Sequence, residues 1–280
     1  MITEMQTNVE QHYTIPNLPN VILETLKKVK NNPEKYTPED LKTFDEFHLQ
    51  GLQATLDLAG KISLQPDMSV LDLGSGLGGP ARTLASKYNC MVSGIELVAE
   101  YYKSAQMLSE LVNLNKSTKF YHGSALDLPF ADRSFDVVWT QHMTMNIQDK
   151  KKLFSEAYRV LKPNGKLAIY EIIAGEAFGG NFFYPVPWAG SPAINFLSKT
   201  NEFIATITSS GFKQISVQNV TEKCANWIAN VKKAAASNDP NPLGLNLIAG
   251  SDFGLKVGNI LENIQVKNLE VVEAIFEKPE

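Results

Sequence analysis

The residues best suited to chemistry begin at Asp72. An apolar run, Val70-Leu71-Asp72-Leu73, leads into Gly74, Gly76 and Gly79, which keep a G-x-G-x-x-G spacing. Ala81, Leu84, Ala85 and Tyr88 then fall at i, i+3, i+4 and i+7, one face of a helix, with Pro80 suited to its first position. A strand therefore turns on glycines straight into a helix. Glycine admits positive φ and lets a ligand approach the main chain, and the unpaired N–H groups of the helix start face that ligand. The spacing alone serves a dinucleotide, another nucleoside-bearing ligand or a plain tight turn.

Asp72 separates these readings. A dinucleotide lays a pyrophosphate with about two negative charges over such a turn, and a carboxylate at the strand end repels it. A ligand that is a net cation is attracted instead, and S-adenosylmethionine (SAM), with a sulfonium and an ammonium against one carboxylate, is such a ligand. Glu96 lies 20 residues beyond Gly76 (96 − 76 = 20), at the end of the next apolar run. An acid there can accept ribose hydroxyls, or it can be a plain surface acid. Residues 123–130 form a polar loop where an adenine edge should fall. The backbones of Ala125 and Leu126 could bond the ring, Ser124 or Asp127 could meet its amino group, and Leu97 and Leu126 could wall its faces. Asp72, Gly74, Ser75, Gly76, Glu96, Leu97, Ala125, Leu126, Asp127 and Gln141 thus make up the expected cofactor set.

On the acceptor side, Thr140-Gln141-His142 ends a strand at the expected switch point of the sheet. His142 is the candidate general base, since an ordinary imidazole titrates near pH 6.5; the alternative is a histidine bonded to a loop carbonyl. Tyr13, His48, Met145, Tyr184 and Trp188 are the candidate acceptor-pocket residues. His48 also reads as structural, and the cluster Phe182 to Trp188 as either a wall over the acceptor or core beneath extra helices. No metal is expected.

These residues need a frame. Runs at 69–73, 91–96, 119–122, 135–140, 166–173 and 214–220 read as strands separated by helical patterns, which means βαβ units and a parallel sheet. A last strand covers 270–276. About 60 residues of helix precede the glycine turn, with a helix over 21–30 and another begun by Thr37-Pro38-Glu39-Asp40, whose continuation would place Leu41, Phe44 and His48 on one face. Residues 221–268 are too long for a plain connection and hold two helices, marked by Trp227 and Val231 and by Phe253, Val257, Ile260, Leu261 and Ile264, with Asn238-Asp239-Pro240-Asn241-Pro242 between. The expected division is a helical cap at 1–60, a core at 61–220, a helical insertion at 221–268 and the closing strand at 269–280.

Composition sets outer bounds. The chain has 280 residues, 44% hydrophobic, with a net charge of −4, which is ordinary for a globular α/β protein. No apolar run approaches the roughly 20 residues of a membrane span, and the start lacks the basic and apolar regions of a signal peptide. Two cysteines, Cys90 and Cys224, point to a reducing cytoplasm. Mild acidity argues against a nucleic-acid substrate, and Lys27, Lys28, Lys30 and Lys150 to Lys152 read as solvated faces. A small-molecule acceptor and a monomer or homodimer are expected.

Several motifs together resemble a known family. Val70-Leu71-Asp72-Leu73-Gly74-Ser75-Gly76-Leu77-Gly78, Glu96, Asp127-Leu128-Pro129-Phe130, Ser134-Phe135-Asp136 and Arg159-Val160-Leu161-Lys162-Pro163-Asn164-Gly165 resemble the ordered motifs of class I SAM-dependent methyltransferases, and within them the type 11 methyltransferase domain. Asp45-Glu46-Phe47-His48 and Tyr184-Pro185-Val186-Pro187-Trp188-Ala189 extend the likeness toward sarcosine/dimethylglycine methyltransferases. The resemblance implies a Rossmann-like, seven-stranded, mostly parallel sheet with helices on both faces, capped by the first 60 residues and by 221–268. It also implies that Gly74 and Gly76 contact the methionine part of SAM, Glu96 the ribose, and Ala125 and Leu126 the adenine. N-methylation of a small amine follows from the likeness. The aromatic cluster favours C- or O-methylation of a quinone, lipid or polyketide instead. An NAD-dependent oxidoreductase and a non-catalytic SAM-binding protein are the other classes open to this sequence.

Overall fold

The computed structural model describes residues 3–29, 36–235 and 242–280. Lys30 and Asn238 to Asn241 lie outside the described residues. Seven strands form one sheet: β1 (Ser69–Leu73), β2 (Met91–Glu96), β3 (Thr118–His122), β4 (Phe135–Gln141), β5 (Leu161–Ala174), β6 (Lys213–Asn219) and β7 (Leu269–Glu277). Their order is β3-β2-β1-β4-β5-β7-β6. The pairs among β1 to β5 are parallel, and β7 runs antiparallel to both β5 and β6. The order reverses between β1 and β4, which places the switch point beside Asp72 and Gln141.

The helices are α1 (Glu4–Tyr13), α2 (Leu18–Val29), α3 (Pro38–Leu41), α4 (Leu52–Ala59), α5 (Gly79–Tyr88), α6 (Ala99–Leu111), α7 (Lys150–Val160), α8 (Thr200–Ser209), α9 (Thr221–Ala235), α10 (Asn246–Ala249) and α11 (Phe253–Gln265). Central strands are buried on both faces, so β1 keeps four consecutive buried residues, Asp72 among them. One face packs on α4, α5, α9 and α11 through Leu58, Leu84, Trp139, Ile228 and Ile260. The other packs on α7 and α8 through Leu153, Phe154, Phe203 and Ile207. A third cluster joins α2 to α6 through Leu18, Ile22, Leu26, Tyr101 and Leu108.

Two local expectations change. The helix begun at Thr37 ends at Leu41, and residues 42–51 run as turns; Leu41, Phe44 and His48 share no helical face. The cause is tertiary. A side chain at Gly79 would meet the Asp45 carbonyl oxygen at 2.3 Å, so the segment lies directly on the first turn of α5 and its polar side chains bury there. Lys150 is also no solvated residue. It is buried, and its ammonium donates to the carbonyls of Ile147 (2.8 Å) and Phe196; burial lowers its pKa to about 8.

Candidate functional site

A cavity of about 900 Å³ opens at the C-terminal ends of β1, β2 and β4. Its polar floor is set by the glycine turn. Gly76 has φ 53°, and a side chain there would meet nothing within 4 Å, so the turn faces the cavity with bare backbone. The Gly76 N–H donates to Glu96 Oε2 and the Val98 N–H to Glu96 Oε1, both at 2.8 Å, which fixes the carboxylate at the cavity wall. Burial raises the Glu96 pKa. Asp72 is 2% exposed, and its Oδ2 has no hydrogen-bond partner among the described residues. Burial first, and the neighbouring Glu46 and Glu96 next, push its pKa well above the ordinary value. A buried carboxylate with an unused oxygen calls for a cation.

The rim is tied to this floor by a buried polar cluster of which only His48 was expected in the pocket. Arg82 Nη2 donates to Asp45 Oδ2 (2.8 Å) and to the Leu77 carbonyl (2.7 Å), and its Nη1 donates to Ser109 Oγ (3.2 Å). One buried guanidinium thus joins segment 42–51, the glycine turn and α6. Glu46 accepts from Thr83 Oγ1 and lies within hydrogen-bond reach of His48 Nε2 (2.9 Å) and Thr55 Oγ1. Burial alone would raise its pKa, but these bonds outweigh it and hold the carboxyl below the ordinary range. The signal for the cluster was the run Asp45-Glu46-Phe47-His48; nothing in it announced Thr55, Thr83 or Arg82 as partners.

His142 does not have the chemistry expected of a base. It is half-buried, with φ 50°, and its ring stacks on Tyr170 at 4.9 Å. Nδ1 lies 3.1 Å from the Tyr170 carbonyl, which only accepts, so Nδ1 carries the proton. Nε2 then accepts from the Leu49 N–H at 3.4 Å. Burial, and His48 nearby, lower the His142 pKa to about 3. The loop-bonded alternative is the one the geometry matches.

Of the remaining expected residues, Gly74, Ser75, Leu97, Ala125, Leu126 and Gln141 line the cavity, as do Tyr13, His48, Met145 and Trp188. Leu126 N–H is already donated to Ser124 Oγ (3.0 Å), which leaves its side chain as the contacting part. Asp127 is exposed and lies outside the lining. Tyr184 is outside as well: its hydroxyl accepts from Asn195 Nδ2 (2.7 Å) and its ring packs on Phe182. The aromatic cluster therefore divides, with Pro187 and Trp188 at the cavity and Phe182 and Tyr184 packed behind.

The other end of the cavity is apolar. Met5 and Val9 of α1, Met145, Ile172, Trp188, Trp227 and Val231 of α9, and Phe253, Val257 and Ile260 of α11 line it. Helices α9 and α11 pack on β7, three strands from β1, which is about 14 Å at the usual strand spacing. Helix α1 lies across both ends: Gln6 Nε2 donates to Ser124 Oγ, and the Tyr13 hydroxyl donates to Asn146 Oδ1 (2.9 Å). Lys42 is the sole lysine or arginine in the lining among the described residues. No group of acidic, histidine and cysteine side chains that could hold a metal occurs among them either.

Comparison with known proteins agrees with this geometry. Residues 71–169 match the family described as Methyltransferase domain. The glycine/sarcosine/dimethylglycine N-methyltransferase of Actinopolyspora halophila is 29% identical over 184 residues, 66% of this chain and 31% of that protein. A sterol 24-C-methyltransferase of Gibberella zeae is 36% identical over 114 residues, 41% of this chain and 30% of that protein. The chain thus spans about a third of the length of these two curated relatives. Among solved structures, the geranyl diphosphate C-methyltransferase of Streptomyces coelicolor, in complex with S-adenosylhomocysteine, superposes with a TM-score of 0.72 at 16% identity, covering 99% of this chain and 98% of that one. The seven-stranded, mostly parallel sheet is the Rossmann-like fold of these methyltransferases. On that fold, residues 71–169 match a methyltransferase domain, and the Streptomyces structure holds S-adenosylhomocysteine, the demethylated form of the cofactor SAM. The residues present suit this cofactor: an unused buried carboxylate oxygen at Asp72, bare backbone at Gly76 and an acid anchored at Glu96. No helix among the described residues is long and apolar enough to cross a membrane.

Proposed function

We propose that this chain transfers the methyl group of SAM to an apolar, uncharged small molecule. The observation that carries this reading is the two-part cavity, polar at the strand ends and apolar between α1, α9 and α11. Its volume of about 900 Å³ lies near the top of the range of about 300–1,000 Å³ for small-molecule sites, enough for a cofactor and an acceptor together. Bound SAM supplies a methyl group already activated by its sulfonium. The protein's work is then alignment and exclusion of water. Asp72 attracts the cationic ligand, Glu96 meets the ribose, and Leu97, Ala125 and Leu126 border the adenine. Trp188, Trp227 and Phe253 press the acceptor toward the methyl group and keep the site dry. A neutral acceptor becomes a cation once it takes the methyl group and must then shed a proton; with His142 held neutral and engaged on both nitrogens, no side-chain base is assigned and that proton leaves to water.

N-methylation of a glycine-type acceptor is the second reading, favoured by the relative from Actinopolyspora. Such an acceptor brings a carboxylate, and a single rim lysine, Lys42, is a poor match for it beside Asp45, Glu46, Asp72 and Glu96. We further propose that the protein works in the cytoplasm, as a monomer or homodimer, since Cys90 and Cys224 are both free and buried.

The test is calorimetric titration with S-adenosylhomocysteine, followed by methyl transfer from labelled SAM to a panel of terpenoid, quinone and fatty acceptors beside glycine and sarcosine. Micromolar binding and transfer to an apolar member are expected. Absence of binding in a folded sample would remove the methyltransferase reading, and transfer confined to the amines would remove the apolar acceptor.

A further inference from the structure

Gln50 carries an amide whose direction its neighbours decide. The Tyr170 hydroxyl lies 3.1 Å from Gln50 Oε1 and the Cys224 thiol 3.8 Å from the same oxygen, and each brings a hydrogen. Turned round, the amide would add a third hydrogen to a cluster that already holds two, with no oxygen but the phenol's to receive them. Oε1 is therefore committed to the protein, and Nε2 keeps both of its hydrogens. No group among the described residues accepts from it. Gln50 is only 9% exposed, yet this nitrogen is not sealed off as that of Gln141 is; it is open to the cavity that Gln50 lines.

The elements around Gln50 set the place of this donor. Tyr170 lies in β5, and Ile172, two residues on, leaves the sheet on the same face and lines the cavity. Cys224 lies in the first turn of α9, and Trp227 and Val231, three and seven residues on, share its helix face and line the cavity too. By joining Tyr170 to Cys224, Gln50 sets a donor among the apolar side chains of the acceptor end. The backbone there is strained. Gln50 takes φ 65°, the left-handed region that a residue with a Cβ enters at an energetic cost. Such strain persists only where the surroundings hold it, and here the bonds to the amide oxygen do so.

We propose that Gln50 Nε2 recognises an oxygen of the methyl acceptor, so that the acceptor is an oxygenated apolar molecule, a ketone or a quinone, and not a plain hydrocarbon. The assignment rests on the apolar-acceptor reading and deepens it by naming the polar group that the acceptor carries. A hydrocarbon filling the chamber would leave the Gln50 donor unpaired, whereas a carbonyl oxygen pairs it, and that difference is the discrimination.

The experiment uses the protein saturated with S-adenosylhomocysteine and two probes of one shape, 1-tetralone and its oxygen-free parent tetralin. Binding is followed by calorimetry in the wild type, Gln50→Met and Gln50→Gly, and the quantity compared between proteins is the ratio of the two affinities. Gln50→Met keeps the length of the side chain and Gln50→Gly relieves the left-handed strain, so one preserves the fold if the other does not. Both should shift the ratio about tenfold toward tetralin by weakening the ketone alone. Affinity for S-adenosylhomocysteine should stay within about twofold. A ratio left unchanged, whether both probes weaken together or neither does, would make Gln50 a structural residue, and a loss of S-adenosylhomocysteine affinity alongside it would give Nε2 to the cofactor. Either result overturns the assignment and leaves the apolar-acceptor reading standing. Failure of both probes to bind the wild type would overturn that reading and the assignment together.

Discussion

The two ends of the cavity are built on opposite plans. The polar end, proposed for the cofactor, draws on residues 72–76, 96–97, 124–126 and 141, almost all at strand ends and each within a turn of its strand. It holds unused polar atoms at Asp72 and Gln141. The acceptor end draws on residues from Met5 to Ile260, contributed by helices at both extremes of the chain, and it is apolar. The first end can recognise a ligand by charge and hydrogen bonds. The second does so mainly by shape and dryness. A polar site specifies its ligand sharply and tolerates little change, whereas an apolar chamber can be resized without harm to the other end.

Substitutions on either side put that contrast to the test. Asp72→Ala should have the largest effect, weakening SAM binding by about 2 kcal/mol, roughly thirtyfold, as expected for loss of a charged hydrogen bond. Acceptor size preference should not move. The same residue gives a pH signature. Burial pushes the pKa of its carboxyl up, and a bound cation favours the ionised form. SAM binding should therefore release a proton and tighten as pH rises, measurable by calorimetry in buffers of different ionisation enthalpy; proton uptake would contradict it.

At the acceptor end, Ile260→Trp should raise the KM for a large apolar acceptor about tenfold by filling the chamber. Affinity for S-adenosylhomocysteine should change by no more than about twofold, because the sites are distant. Parallel losses in both would show that the ends are one unit. His142→Asn should cost less than about tenfold in kcat, with an unaltered pH profile, whereas loss of a true general base costs about 10²–10⁴.

A separate effect, on stability and not on binding, concerns the floor beneath both ends. Glu171 is fully buried; burial raises its pKa from 4.5 to about 7, against bonds from Thr140, Met143 and Thr144. A carboxyl raised on folding makes the folded state bind the extra proton, so stability should fall as pH climbs from about 4.5 to about 7. Thermal melts of Glu171→Gln should lose that part of the slope.

The same contrast decides what could be read from the amino-acid order. Strands around Asp72, Glu96 and Gln141 were legible to within a residue or two, because apolar runs and glycine turns are local signals. β5 begins earlier than expected, at Leu161 instead of Lys166, since Leu161 pairs with Phe135 across an irregular register. The helix expected after Thr37 failed at Leu41 because burial of Asp45 and Glu46 against α5 outweighs local propensity. The two readings of His142 could not be separated in the sequence for a related reason. Its position at the switch point was right, but its partners, Leu49 and Tyr170, lie 93 and 28 residues away. Apolar residues such as Trp227, Phe253 and Ile260 carry no chemical mark, so nothing in their spacing separates a chamber wall from a packed core.

Helix α1 has a kinetic meaning that its contacts imply. It is ten residues long, too short to hold its shape unaided, and it is pinned through Gln6 to Ser124, His12 to the Pro187 carbonyl and Tyr13 to Asn146. Because Met5 and Val9 line the chamber, the roof of the site is its least self-sufficient element. Ligand residence time should then follow how often those three latches release together, and α1 amides should exchange more slowly once both ligands are in place.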